Sequence, residues 1–256
     1  FKKLNDKITL EHCMDRLKRC KKVNNIIIAT TTNTEDDIIA EFCNQRNYLY
    51  YRGSETDVLS RFYHTALISN TDIVIRCTAD CPLIDTGILN VMINNFLEND
   101  FAYYLPKFYN GNYAFPDGLG DIEIFPFNML KDAYNNATTK EDREHVTPYI
   151  IRKYGIVEYK IPNVDKYKNL NLNNLHLSLD TEYDYNVLKN IFNNLYPIKK
   201  DFTIYDVLEY LNNNVDILKN KNELDLYNGK GQKLYVEAKK IIPGGTQLLS
   251  KRPEMF

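Results

Sequence analysis

Several signals are missing from this chain, and each absence removes a class of function. No G-x-x-x-x-G-K-[ST], G-x-G-x-x-G or G-x-S-x-G occurs, so the P-loop, dinucleotide-binding and α/β-hydrolase readings lack their main support. An excess of one charge is missing too. The 32 Lys and Arg nearly balance 34 Asp and Glu, for a formal charge of −2, whereas nucleic acid or an anionic membrane calls for a broad positive footprint. No apolar run approaches the length of a membrane span, and Phe1-Lys2-Lys3-Leu4-Asn5-Asp6 does not form a secretory signal. The five cysteines (Cys13, Cys20, Cys43, Cys77 and Cys81) form no CxxC pair, so neither a zinc site nor a disulfide framework is expected, and a reducing cytoplasm fits best. The lack of tryptophan, beside an abundance of Asn, Lys, Ile and Tyr, is explained as well by a biased genome as by structure and carries no functional weight.

What is present is a chain of 256 residues with 44% apolar content, enough for one substantial α/β core and a small appendage. Leu10, Cys13, Met14 and Leu17 recur at helical spacing behind Thr9, an expected N-cap with Glu11 nearby. Ile26 to Ala29, Tyr48 to Tyr51 and Ile73 to Cys77 read as buried strands. Helices are expected from about Glu35, over Val58 to Ser69 and over Ile88 to Leu97. Strands alternating with helices imply a mostly parallel central sheet covered on both faces, with ligands beyond the carboxyl ends of the strands. Thr30 to Asn33, Arg52-Gly53-Ser54 and Thr78-Ala79-Asp80 stand at those ends and are expected to share one crevice.

Further along, strands and a long loop around Asn110 to Gly120 are expected between Phe101 and Phe125. Helices follow over Phe127 to Ala137, Glu141 to Lys153 and Tyr183 to Leu195, with strands over Ile156 to Ile161 and His176 to Leu179. Beyond Pro197 comes a short helix over Ile204 to Leu211. The polar stretch from Leu218 to Tyr235, with Gly229 and Gly231, then reads as a linker. The expected organisation is a domain over 1–196, a helical extension and linker over 197–235, and the start of another segment over 236–256. The lack of an initiator Met and the ending Pro253-Glu254-Met255-Phe256 suggest a piece of a longer polypeptide.

Two carboxylates follow predicted strands directly, Asp80 and Asp180. A small hard cation such as Mg²⁺ takes one or two protein carboxylates plus phosphate and water, so such a pair suffices as a metal site. The competing reading is that both are helix N-caps. Arg52, Arg61, Arg76 and Arg143 each offer a guanidinium fork to phosphate or carboxylate. Arg76, inside a buried strand, must have a partner, because an unpaired buried charge is costly. His145 sits in the polar cluster Arg143-Glu144-His145, where a carboxylate hydrogen bond would account for it equally well. His12, His64 and His176 have no such neighbours in sequence.

Taken together, Tyr51 to Phe62, Arg76 to Asp85, Phe115-Pro116-Asp117-Gly118, Asp121 to Phe125 and Arg143 to Tyr149 resemble the spore-coat polysaccharide SpsF family, grouped with the CMP-Kdo and acylneuraminate cytidylyltransferases. The resemblance covers about residues 1–196. It implies a Rossmann-like nucleotide-diphospho-sugar transferase fold that joins a nucleoside triphosphate to a sugar phosphate or sugar acid, for surface polysaccharide or glycan biosynthesis. Asp80 and Asp180 look like the family's metal carboxylates, with Arg76 beside them in catalysis. Arg52, Gly53, Ser54, Asp57, Arg61 and Thr78 match the nucleotide or substrate side. Asp117, Glu123, Arg143, Glu144 and His145 match the sugar side.

One departure stands out. The family's basic loop, like I-Q-A-R-x-x-S-x-R-L-P-G-K, and the strand before it would precede Phe1, so the chain as given is expected to bind nucleotide poorly. Ala238 to Pro253 resembles the opening of a class III, glutamate-1-semialdehyde-type aminotransferase, or else is a flexible tail; PLP would bind only beyond Phe256. Two alternatives stay open: a glycosyltransferase of the same fold using Asp121-x-Glu123 for metal, and a non-catalytic sugar-nucleotide-binding module fused to an aminotransferase. A homodimer is suggested by analogy with related enzymes.

Overall fold

β-Branched runs in a parallel sheet call for cover on both faces, and helices supply part of it here, leaving the strands over Ile27–Thr31 and Ile73–Cys77 largely half-buried. The computed structural model describes residues 2–99, 103–107, 118, 122–160, 169–172 and 175–222. Asp117, Asp121, the loop around 110–120, most of the expected linker and the segment 236–256 lie outside them. A short hairpin, β1 (Lys3–Leu4) and β2 (Lys7–Ile8), leads into α1 (Thr9–Leu17). Thr9 is the first helical residue rather than the cap: Ile8 takes the N-cap position, and its N–H donates to Glu11 Oε2 at 3.3 Å.

The next two strands, β3 (Ile27–Thr31) and β4 (Leu49–Gly53), pair in parallel across α2 (Asp37–Arg46), which a 3₁₀ turn over Thr34–Asp36 introduces. Then come α3 (Val58–Ile68), β5 (Ile73–Cys77) and α4 (Thr86–Glu98). A four-stranded sheet is completed by β6 (Tyr104–Lys107), β7 (Ile122–Pro126) and β8 (Val157–Lys160), in the order β5-β7-β6-β8. In it β7 alone runs against the others. The mostly parallel α/β architecture is therefore as expected.

Alternation along β7 divides the core. Ile122 and Ile124 face the cluster built on α4, α8 (Glu182–Leu195) and α9 (Ile204–Asn213), while Phe125 joins the cluster with α3, α5 (Phe127–Asn136) and α7 (Pro148–Tyr154). Glu123, between Ile122 and Ile124, points to the second side. Phe202, Ile204, Val207, Leu208 and Leu211 lie in the same core as β7, so α9 is packed into the fold. Asp85 ties it there: Oδ1 accepts from Ile88 N (2.9 Å), capping α4, and Oδ2 accepts from Ile204 N (2.7 Å) at the start of α9.

Two expected elements differ. The helix over Glu141 to Lys153 is two, α6 (Lys140–His145) and α7. Pro148 cannot donate into a continuing helix and disfavours helical backbone just before it. Between the helices Val146 adopts φ 72°, ψ −53°, with Thr147 N donating to His145 O at 2.8 Å, a strained three-residue γ-turn. The strand expected over His176 to Leu179 is reduced to a single bridge at His176, followed by bends.

A slot of about 750 Å³ separates β3 from β5. It is lined by Ile27, Ile28, Met14, Phe62, Ile75 and Phe96, among others. Among the described residues β3 pairs only with β4 and β5 only with β7, so each presents a free edge.

Candidate active site

The first group of site residues gathers where β3 and β4 end. Thr32 N donates to Gly53 O (3.1 Å), joining the two strand ends. Arg52, expected to meet phosphate or carboxylate, is spent inside the protein: Nε donates to Thr31 O, Nη2 to Asn33 O, both at 2.7 Å, and Nη1 pairs with Asp37 at 2.6 Å. It shapes the Thr31–Asn33 turn. Asp36 does the same from the other side, its Oδ2 accepting from Thr30 Oγ1, Thr31 N and Thr31 Oγ1 at 2.6–3.0 Å. Gly53 lets Arg61 lie close, since a Cβ there would meet Arg61 Cγ at 3.1 Å. Arg61 Nη1 donates to Ser54 O (2.5 Å), while its Nε is buried without a partner among the described residues. Ser54 Oγ accepts from Asp57 N, and Asp57 caps α3 through Ser60 N. Asp57 also pairs with Arg143 of α6 at 3.4 Å, which links this group to the second.

That second group centres on Glu123. The β5–β7 register sets Arg76 opposite Glu123, and cross-strand pairs on one face meet. Arg76 Nη1 donates to Glu123 Oε2; Tyr103 Oη and Thr147 Oγ1 both donate to Oε1, the latter at 2.9 Å. Burial pulls the Arg76 guanidinium down, but the charge and hydrogen bond of Glu123 outweigh it and leave its pKa raised. The buried Tyr103 phenol is pushed up, first by burial and then by Glu123. The partner that a buried arginine required is therefore Glu123, and sequence reading did not find Tyr103 or Thr147. Glu144 and His145 are exposed, and neither side chain has a hydrogen-bond or ion-pair partner among the described residues.

The third group holds the two aspartates. Leu179 N donates to Asp80 O at 2.9 Å, so the segments carrying Asp80 and Asp180 lie side by side. Neither aspartate is a helix cap. Asp85 caps α4, and Thr181, whose hydroxyl accepts from Asp184 N, caps α8. Both carboxylates are exposed or nearly so. Asp80 Oδ1 accepts from Cys81 Sγ (3.3 Å), and Asp180 Oδ2 accepts from Ser178 Oγ (3.0 Å) and lies 2.9 Å from His176 Nε2. Thr78 Oγ1 lies 3.0 Å from Cys81 Sγ, which steadies the turn after β5. Two accessible carboxylates not spent on Lys or Arg fit a hard divalent cation. His176 was overlooked in the sequence; its spacing, His176-x-x-x-Asp180-x-x-x-Asp184, was the available signal.

Gly118 marks where the long loop meets this group. It has φ +89°, and a Cβ would lie 2.0 Å from Leu177 C and 2.1 Å from Ser178 N. Only glycine permits that approach, which sets Gly118 against the backbone just before Asp180.

Comparison with known proteins identifies the family and the fold. The family model described as Cytidylyltransferase matches residues 1–241. The uncharacterized protein MJ1063 of Methanocaldococcus jannaschii is 34% identical over 215 residues, spanning 84% of each chain. The spore coat polysaccharide biosynthesis protein SpsF of Bacillus subtilis is 28% identical over 199 residues, covering 77% of this chain and 78% of its own. Among solved structures, a cytidylyltransferase from Leptospira borgpetersenii superposes with TM-score 0.74 at 29% identity, covering 86% of this chain and 89% of that one.

Proposed function

The chain belongs to the cytidylyltransferase family and is thereby a nucleotidyltransferase, and from that premise we propose that it joins CTP to a sugar phosphate or sugar acid, releasing pyrophosphate. The observation that carries this reading is the Leu179–Asp80 backbone bond, which runs the segments bearing Asp80 and Asp180 side by side, two exposed carboxylates not paired with Lys or Arg among the described residues. Asp80 and Asp180 would hold Mg²⁺, whose charge offsets that of the phosphate oxygens. A manganese complex is known for the related fold of Rv0371c from Mycobacterium tuberculosis, which supports a divalent ion here. A sugar oxygen attacks the α-phosphorus and pyrophosphate departs. Arg76, fixed by Glu123, offers a preorganised positive charge that need not reorganise as the reaction proceeds. The turn held by Arg52 and Asp36 presents backbone groups on the nucleotide side. SpsF supports an acceptor destined for a surface polysaccharide, and five unpaired thiols support a reducing, cytoplasmic setting.

The slot between β3 and β5 supports the expectation of a further strand followed by a basic loop. A parallel strand laid there would pair with both free edges. Lys2 pairs with Glu182, and Tyr185 Oη donates to Lys3 O (2.9 Å), so the first described residues rest on the start of α8, next to Asp180. A loop arriving there would cover the site. The glycosyltransferase reading is weakened, because Glu123 of Asp121-x-Glu123 is already bound by three donors.

The test is pyrophosphate release by the full-length natural protein with CTP, GTP and UTP and Mg²⁺, across sugar phosphates and sugar acids. Release that needs both CTP and one acceptor is expected. Acceptor-independent behaviour, or release only with another nucleotide, would replace this reading.

A further inference from the structure

We propose that His176, Asp180 and Asp184 form a second cation site, distinct from the Asp80–Asp180 pair, that takes a borderline divalent ion such as Mn²⁺, Co²⁺ or Zn²⁺. Each of the three offers a ligand atom within 4.8 Å of the others, and no Asp80 atom belongs to the set. His176 Nε2 lies 2.9 Å from Asp180 Oδ2 and 3.7 Å from Asp184 Oδ2. Ligands on one ion with bonds of roughly 2.0–2.2 Å stand about 3.0–3.5 Å apart, so these atoms need only small adjustments.

The second observation is on Asp184 itself. Its side chain is only 2% exposed. Oδ2 accepts from Thr181 N (2.8 Å) and Thr181 Oγ1 (2.7 Å), the capping box of α8, yet Oδ1 is buried with no hydrogen-bond partner among the described residues. Capping explains one oxygen and leaves the other bare. A buried anionic oxygen without a donor is expensive and calls for an unseen partner, an ion among them. The oxygen that approaches the histidine is Oδ2, 3.7 Å from His176 Nε2, and with Asp180 Oδ2 beside the same nitrogen the three side chains make a set that suits a cation. Side-chain exposures of 25% for His176 and 55% for Asp180 leave an ion a way in.

The imidazole decides the kind of ion. Mg²⁺ prefers oxygen and keeps its water, whereas a neutral imidazole favours the later divalent metals. Asp180 then belongs to both sites, one shared with Asp80 and one with His176 and Asp184. An ion at the second would fix the orientation in which Asp180 meets the first. Binding here does not require the nucleotidyl-transfer reading, and it is measured without nucleotide, so a failed pyrophosphate assay leaves it standing.

The experiment is Mn²⁺ binding to the chelator-stripped full-length protein, followed by electron spin-echo modulation spectroscopy. Expected is one bound Mn²⁺ carrying a ¹⁴N coupling, which becomes ¹⁵N on labelling the histidines, present in wild type and in Asp80→Asn. His176→Gln should remove the coupling and weaken binding by at least about tenfold. Bound Mn²⁺ without nitrogen coupling in the wild type, absence of nucleotide-free binding, or unchanged affinity in a folded His176→Gln would each overturn the site. The isotope experiment needs no variant to show whether a histidine binds the ion; if His176→Gln does not fold, His176→Asn and the double variant His64→Gln/His145→Gln assign it, since the coupling should be lost in the first and kept in the second.

Discussion

Glu123 and Asp80 are acidic residues close to the ends of neighbouring strands, and the structure treats them oppositely. Glu123 is largely buried and accepts from Arg76, Tyr103 and Thr147. Asp80 is exposed, and its carboxylate takes only a weak bond from the Cys81 thiol. A carboxylate saturated with donors has no capacity left for a ligand, so Glu123 builds the frame. One left open to solvent contributes little to folding and is available for chemistry. The same contrast separates Arg52, whose three guanidinium nitrogens each have a partner in Thr31, Asn33 or Asp37, from Arg76, whose Nε is left without one among the described residues.

The largest effect should come from breaking the frame. Glu123→Ala leaves the Arg76 charge, the Tyr103 phenol and the Thr147 hydroxyl without their acceptor, and removing one member of a buried pair costs about 3–5 kcal/mol. Urea unfolding should show that loss. A cost below about 1 kcal/mol would mean that water reaches Arg76 freely and the network is not a frame.

Asp80→Asn should invert the pattern. Stability is expected to stay within about 0.5 kcal/mol, as for other exposed substitutions. Turnover should fall by roughly 10²–10³-fold, the scale seen when one preorganised charge-stabilising group is lost. Near-normal pyrophosphate release with unchanged Mg²⁺ dependence would remove Asp80 from the metal site and collapse the contrast with Glu123.

Much of this was legible in the residues. Uninterrupted runs such as Ile27–Ala29 and Ile73–Ile75 marked the strands, although beside the slot these are largely half-buried rather than buried, and their ends located Asp80. Arg76 announced that it needed a partner. That the partner is Glu123 was not legible, because the two are 47 residues apart and meet only through the β5–β7 register. Arg52 was legible in part: it meets a carboxylate, that of Asp37, as its residue type suggested, but its other acceptors are backbone carbonyls, which every residue carries and no pattern marks. The helix break at Val146 was foreshadowed by Pro148, but the positive-φ turn was not, since a buried β-branched residue is a poor candidate for it. His176 looked isolated because its neighbours arrive through turns rather than along one helix face.

Gly118 tests how far the frame extends into the long loop. Gly118→Ala would put a methyl group against the backbone of Leu177 and Ser178 at a φ that alanine resists. Destabilisation of more than about 1 kcal/mol is expected, with Asp180 displaced along with the backbone next to it. A stable variant with reduced turnover would show that the loop yields and the site absorbs the shift. A variant unchanged in both would detach the loop from the site.

The smallest effect belongs to Asp36, which stands between the two extremes, half-buried and with three donors on one oxygen. Its pKa is held below the ordinary 3.8, chiefly by the Thr31 hydroxyl and with further help from Thr30, Thr31 N and Arg52, against an opposing push from burial. A depressed carboxyl pKa stabilises the fold above the unfolded-state value and ceases to as pH falls through the folded one. Asp36→Ala should therefore cost about 1–2 kcal/mol at pH 7, near the low end for hydrogen bonds to a charged group because the carboxylate is only half-buried. The gap from wild type should narrow once pH drops below about 3.9. Unfolding curves at pH 7, 4 and 3 would show it. A gap that stays constant with pH would mean the three donors serve Asp36 equally well when it is protonated, and that its charge, unlike that of Glu123, plays no part in holding the turn over which the nucleotide is proposed to lie.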